Sequence, residues 1–118
     1  MQMRNVLCCA ISFVALACYS VAAARADVIR VATVVAENQA DFANNAALVP
    51  TFAGLLKKAP AVKATWSGTD AAKLTIITTS VWAQESDIKS LTDTADWKAA
   101  AGKLKYKTYT AEIFQVVP

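Results

Sequence analysis

Val28-Ile29-Arg30-Val31-Ala32-Thr33-Val34-Val35-Ala36 and Lys73-Leu74-Thr75-Ile76-Ile77-Thr78-Thr79-Ser80-Val81-Trp82 are the two stretches that decide the fold. The first is β-branched or small throughout, with Arg30 as its one charge. A continuous apolar run of this length reads as a strand covered on both faces. The second puts Leu74, Ile76, Thr78, Ser80 and Trp82 on one side and Thr75, Ile77, Thr79 and Val81 on the other, because strand side chains alternate. Two strands apolar on both faces belong at the centre of a sheet.

The segments around them supply the remaining elements. Asn38 stands where a helix N-cap is expected, and Phe42, Ala46, Val49, Ala53 and Leu56 recur every three or four residues as one buried stripe. Pro50 falls inside that helix and is expected to kink it, and Pro60 marks its end. Val62 to Ser67 reads as a short strand with Lys63 and Ser67 exposed, and Gly68-Thr69-Asp70 as the turn of a hairpin into Lys73 to Trp82. Ser86 is the expected cap of a second helical region carrying Ile88 and Leu91. Thr94 restarts it through Trp97, Ala100 and Leu104, with Gly102 near the end. Ala111 to Val117 reads as a last strand, with Glu112 and Gln115 among Ile113, Phe114, Val116 and Val117.

Strand, helix, strand, strand, helix, strand is the α+β, ferredoxin-like βαββαβ plan, with both helices on one face of an antiparallel sheet. Its spatial strand order, 4-1-3-2, puts the two most apolar strands in the middle and those bearing Lys63 and Glu112 at the edges. The helices cover one face, so the other needs a partner sheet or a ligand. A homodimer packed sheet to sheet, a dimeric α/β barrel, is the expected answer.

Residues 1–26 read as a secretory signal peptide. Arg4 supplies the positive start, Val6 to Ala24 is apolar apart from Ser12, Tyr19 and Ser20, and Ala24-Arg25-Ala26 offers small residues at the two inspected positions. Cleavage before Asp27 leaves residues 27–118 as one domain, periplasmic or secreted, with no stable membrane insertion. The competing readings are a retained transmembrane helix and lipidation at Cys18, after Ala15-Leu16-Ala17.

Loss of the leader removes Cys8, Cys9, Cys18, Arg4 and Arg25, and leaves ten basic against nine acidic side chains. Nucleic-acid binding is not implied by so small a balance. The chain has no histidine. Ser-His and Cys-His dyads, structural zinc sites and haem ligation by histidine are therefore closed to the domain, and no metal is expected.

Over almost all of residues 27–118 the sequence resembles the dimeric α/β-barrel superfamily, in particular its antibiotic-biosynthesis-monooxygenase (ABM) domains. The resemblance rests on Leu55-Leu56-Lys57-Lys58-Ala59-Pro60, on the hairpin, and on Ser80-Val81-Trp82 passing into Ser86-Asp87-Ile88 and Asp96-Trp97-Lys98. It implies the fold derived above, and an activity drawn from cofactor-free oxygenases of quinols and polyphenols, haem-degrading enzymes, or members without known activity. Three departures matter. No histidine stands around Lys89 and Ser90, Lys98-Ala99-Ala100-Ala101-Gly102 replaces the region of the axial histidine of haem-degrading members, and Ser80 replaces the acid often found two residues before the strand-end Trp. Haem degradation by that route is not expected, and neither is a cofactor.

The resemblance makes Trp82 and Asn38 the candidate catalytic residues. Trp82, Asn38, Thr78, Ser80 and Tyr106 are the candidate ligand-binding residues. Each has a plainer reading: Trp82 as a packing aromatic, Asn38 as a helix cap, Thr78 and Ser80 as hydrogen-bonders within the sheet. Trp66 and Trp97 read as packing residues, and Phe42, Phe52 and Phe114 as core. Lys103-Leu104-Lys105-Tyr106-Lys107-Thr108-Tyr109 alternates basic and apolar residues and reads first as a solvated connection, otherwise as an attractor of an anionic ligand or a membrane surface. Arg30 reads as a solvent-facing charge at a strand end, the other reading being a buried anchor for a carboxylate or phenolate. Three functions follow: an exported module binding a small apolar or aromatic molecule between sheet and helices, a cofactor-independent monooxygenase of a quinol or polyphenol, or a structural exported dimer without a ligand.

Overall fold

In the first strand, β1 (Val28–Val35), burial alternates residue by residue, Val28, Arg30, Ala32 and Val34 being buried and Ile29, Val31, Thr33 and Val35 half-buried. That period of two is the mark of a strand with one face under helices and one open. The computed structural model describes residues 27–117. The leader, its cleavage site and the lipidation alternative at Cys18 lie outside the described residues.

β1 is followed by helix α1 (Gln39–Lys58), strand β2 (Val62–Asp70), a 3-10 turn (Ala71–Lys73), strand β3 (Thr75–Trp82), helices α2 (Glu85–Thr92) and α3 (Ala95–Ala101), and strand β4 (Thr108–Gln115). The sheet order is β2-β3-β1-β4, all pairings antiparallel. This is the expected ferredoxin-like arrangement, with β1 and β3 central and the strands of Lys63 and Glu112 at the edges. The core on the helix-covered face joins Val28, Leu56, Trp82, Ile88 and Trp97, with Phe52, Leu55, Val62 and Leu91 packed against it.

The caps explain where the helices begin. Asn38 Oδ1 accepts from the Asp41 amide at 2.9 Å, and Thr94 Oγ1 from the Trp97 amide at 3.2 Å, each satisfying an amide that the helix leaves without a partner. The α2 cap is Gln84, without a side-chain hydrogen bond, so the expectation of Ser86 is corrected by two residues. α1 runs through Pro50, as expected, and ends at Lys58 ahead of Pro60. Gly68-Thr69-Asp70 is strand, not turn: Gly68 pairs with Ile77, Thr69 with Ile76 and Asp70 with Thr75. The chain reverses instead over Ala71–Lys73, where Asp70 Oδ1 accepts from the Lys73 amide at 3.3 Å, and Leu74 turns out of it at φ 54°. A left-handed leucine costs about 1 kcal/mol, which the hydrogen bond from Ala36 N to Leu74 O helps to offset. The last strand starts three residues earlier than expected and ends at Gln115.

Paired residues of antiparallel strands share a face. The open face therefore carries Ile29, Val31 and Val35 of β1, Ile77 and Val81 of β3, Trp66 of β2 and Phe114 of β4. Trp66 is 56% and Phe114 51% exposed, so neither is the packing or core residue expected of it within one chain. Their burial requires something outside the chain.

Candidate functional site

The sheet and helices do not close completely. Between them lies a cavity of about 40 Å³, lined by Ala32, Val34 and Ile76 from the sheet, Asn45, Val49, Phe52 and Trp97 from the helices, and Leu104 from the following loop. Arg30, Thr78 and Tyr109, with Asn45, supply the polar part of its wall. A mostly apolar hollow with a few convergent polar groups is the ordinary form of a small-molecule site.

Arg30 is there because of the strand's alternation. It shares the helix-covered face with Val28, Ala32 and Val34 and is 6% exposed. Its Nη2 donates to Tyr109 Oη at 3.1 Å, and its guanidinium carbon lies 5.5 Å from the centre of the Trp97 ring. The ion pairs among the described residues are Lys63–Asp27 and Lys89–Asp93, and neither reaches Arg30. The expectation of a solvent-facing charge is corrected: Arg30 is a buried cation whose neighbours are a neutral hydroxyl and an aromatic face. Removing a charge from water costs several kcal/mol unless an opposite charge or a full set of acceptors replaces the water, and one hydroxyl is neither.

Residues 102–107 form a strap between α3 and β4, and its Leu104 lines the cavity. Two adjacent asparagines of α1 hold it. Asn45, 2% exposed, accepts from the Lys105 amide at 2.8 Å and donates to the Lys105 carbonyl at 2.7 Å, while Asn44 donates to the Lys103 carbonyl at 2.9 Å. The strap rejoins the sheet where the Lys107 amide donates to Val35 O at 2.7 Å. Tyr106 is half exposed and meets Tyr109 edge to face, ring centres 5.5 Å apart. Phe52 and Trp97 meet the same way at 4.9 Å and make an aromatic wall.

Of the residues proposed from the sequence, Thr78 lines the cavity, its hydroxyl 3.0 Å from that of Ser67. Trp82 and Ser80 are sealed in the core, at 1% and 0% exposure, and bond to each other: Trp82 Nε1 donates to Ser80 Oγ at 2.8 Å. Asn38 is exposed at the start of α1 with its side-chain oxygen on the Asp41 amide, and Tyr106 lies on the strap. Of the other polar residues that converge, Arg30 was an anchor only in its second reading, and Asn45 and Tyr109 were not among the proposed site residues. Asn45 had a legible signal, a polar residue on the stripe that runs through Phe42 and Val49.

Among the described residues no three His, Cys, Asp or Glu side chains stand together in a way that could hold a metal ion, and no helix is long and apolar enough to cross a membrane.

No family model matches the chain, and no curated protein was found to match it. Solved structures do match in fold. A Caulobacter crescentus protein provisionally assigned as an antibiotic biosynthesis monooxygenase superposes with a TM-score of 0.69 at 15% identity, over 80% of this chain and 92% of its own. SnoaB, a cofactor-independent oxygenase from Streptomyces nogalater, gives 0.63 at 14% identity, over 79% and 95%. A dimeric ferredoxin-like protein of unknown function from Bacteroides fragilis gives 0.66 at 11% identity, over 76% and 96%. The likeness is one of fold: the chain shares the ferredoxin-like fold of these structures.

Proposed function

We propose that this is an exported small α/β-barrel domain that works as a homodimer and binds a small apolar or aromatic molecule between its sheet and helices. The cavity carries this reading: apolar walls, an aromatic side made by Phe52 and Trp97, and a polar end at Arg30 and Tyr109. At about 40 Å³ it accommodates a few water molecules as it stands, so binding a ring requires the wall to move outward. Export rests on the leader pattern of residues 1–26. The test is native mass spectrometry of the protein from its own host: a bound small molecule, recovered chemically unchanged, supports the binding module, and turnover of that molecule overturns it.

The dimer rests on the open sheet face, where Trp66, Ile77 and Phe114 stand exposed together with half-buried Ile29, Val31, Val35 and Val81. Apolar surface of this kind is the ordinary mark of an interface, and the Bacteroides fragilis neighbour is described as dimeric. Sedimentation equilibrium is expected to give twice the chain mass, and Trp66→Glu to give the chain mass alone. A monomeric parent protein would refute the pairing.

A second reading, a cofactor-independent monooxygenase of a quinol or polyphenol, draws on the same polar end and on the likeness to SnoaB. In that chemistry the deprotonated substrate itself gives an electron to dioxygen, and the protein supplies a dry pocket that favours the phenolate. Arg30 and Tyr109 in the cavity wall support this reading, whereas Trp82, buried in the core, does not line the cavity. Oxygen uptake dependent on a quinol, without flavin or metal, is the measurement that separates this reading from the first.

A further inference from the structure

We propose that the cavity takes an anion: a molecule with an apolar or aromatic body and one carboxylate or phenolate oxygen, which Arg30 anchors beside the Tyr109 hydroxyl. The inference rests on the reading of the cavity as a binding site and adds the charge of what it binds.

Three independent observations meet here. Arg30 is almost fully buried, carries five N–H donors, and makes one side-chain hydrogen bond among the described residues, to a neutral hydroxyl. A guanidinium so placed has unused donors and an uncompensated charge, both of which an incoming oxyanion would answer. The second observation is the strap beside the cavity. It carries Lys103, Lys105 and Lys107, all exposed, around the lining residue Leu104, and no acidic residue occurs from Trp97 to Ala111, so this side of the site is locally positive. The third is the rest of the wall. Val34, Val49, Phe52 and Ile76 offer nothing to a hydrated inorganic ion, whereas they suit the body of an organic acid. One buried guanidinium and apolar walls favour a monoanion over a phosphate dianion.

A buried arginine kept for packing, its stem covering Ala32 and its head stacked on Trp97, would predict no preference for charge. Calorimetric titration of the protein with benzoate and with its neutral isostere benzamide separates the two. Benzoate is expected to bind about tenfold or more tightly than benzamide, the preference that a hydrogen-bonded charge supports. It should fall to about unity in Arg30→Gln and survive in Arg30→Lys. A parallel arm follows the visible absorption of 4-nitrophenolate. If the site favours a phenolate, bound 4-nitrophenol ionises at lower pH than free, and this shift disappears in Arg30→Gln. A response in the benzoate arm alone assigns a carboxylate, and in the phenol arm alone a phenolate. Equal binding of benzoate and benzamide with no phenol shift overturns the anion inference and leaves the cavity standing as a neutral site. Failure of all the probes to bind overturns the cavity reading as well. The comparison in the parent protein needs no variant, so a poorly folding Arg30→Gln does not remove the test.

Discussion

Replacing Arg30 with methionine should make the ligand-free protein more stable, although it removes every interaction the arginine makes. The perturbation deletes a hydrogen bond from a charged donor to Tyr109 Oη at 3.1 Å, worth about 1.5 kcal/mol at the weak end of its range. It also deletes a cation–π contact at 5.5 Å from Trp97, worth about 0.5 to 1 kcal/mol. Against these stands the cost of holding an unpaired guanidinium at 6% exposure, roughly 4 kcal/mol after relaxation. Methionine keeps an unbranched stem on the helix-covered face and fits irregular apolar space. Half-buried Tyr109 can turn its hydroxyl to water. The balance is a gain of about 1 to 2 kcal/mol, or roughly 6 to 12 °C in melting temperature for a domain of this length. The assay is thermal and denaturant unfolding at one fixed protein concentration, since a dimer's melting point moves with concentration. Because the same change should abolish the preference for anions, stability and binding would move in opposite directions. A loss of about 1 kcal/mol or more would refute the reasoning, for it would mean that the native protein already compensates the charge.

Three further outcomes follow from particular contacts. Ser80→Ala strands the buried Trp82 Nε1–H and should cost about 1 to 3 kcal/mol by denaturant unfolding, and the same change made on a Trp82→Phe background, which lacks the donor, should cost much less. Asn45→Ala removes two bonds to the Lys105 backbone and should cost about 2 kcal/mol. Hydrogen exchange at the Lys105 amide should rise more than at the strand amides of β1, and an unchanged rate would mean that the strap is held elsewhere. The hydrogen bond from Lys89, helped by the Lys89 and Lys98 charges, holds the Asp93 carboxyl below the usual carboxylate range. A carboxyl with a lowered folded pKa stabilises above its unfolded value and loses that contribution as pH falls through the folded one. Lys89→Met should therefore be slightly less stable than the parent at neutral pH and equal to it in strong acid, compared by urea unfolding.

The architecture was legible because the apolar patterning of strands and helices agreed along the chain. Two strands apolar on both faces had to be central, and the edges fell to the strands bearing Lys63 and Glu112, as observed. The helix caps Asn38 and Thr94 were legible for the same local reason. The hairpin turn was misplaced because Gly68-Thr69-Asp70 has turn composition, yet cross-strand pairing continues through it and the reversal falls to a left-handed leucine that no propensity would choose. Arg30 was misread for a different reason. Period two says which residues share its face, but when both faces of a strand are apolar the pattern cannot say which lies under the helices. Trp66 and Phe114 are the reverse case. Their apolar character was read as burial inside the chain, whereas the sheet presents them outward. Proposed site residues drawn from resemblance fell mostly on the scaffold, Trp82 and Ser80 in the core and Asn38 at a helix start, while the cavity wall came from positions the pattern marked as ordinary strand and helix.

The three tryptophans stand in three different surroundings: Trp82 in the closed core, Trp97 in the cavity wall, and Trp66 on the open sheet face. Indole emission depends on local polarity, so the chain carries its own set of optical labels. Two phenylalanine substitutions at a time would isolate each one. Trp82 emission would then follow unfolding, Trp97 occupancy of the cavity beneath the guanidinium, and Trp66 the loss of solvent when two sheets meet. Folding, ligation and assembly could thus be timed separately in one protein without attaching a dye.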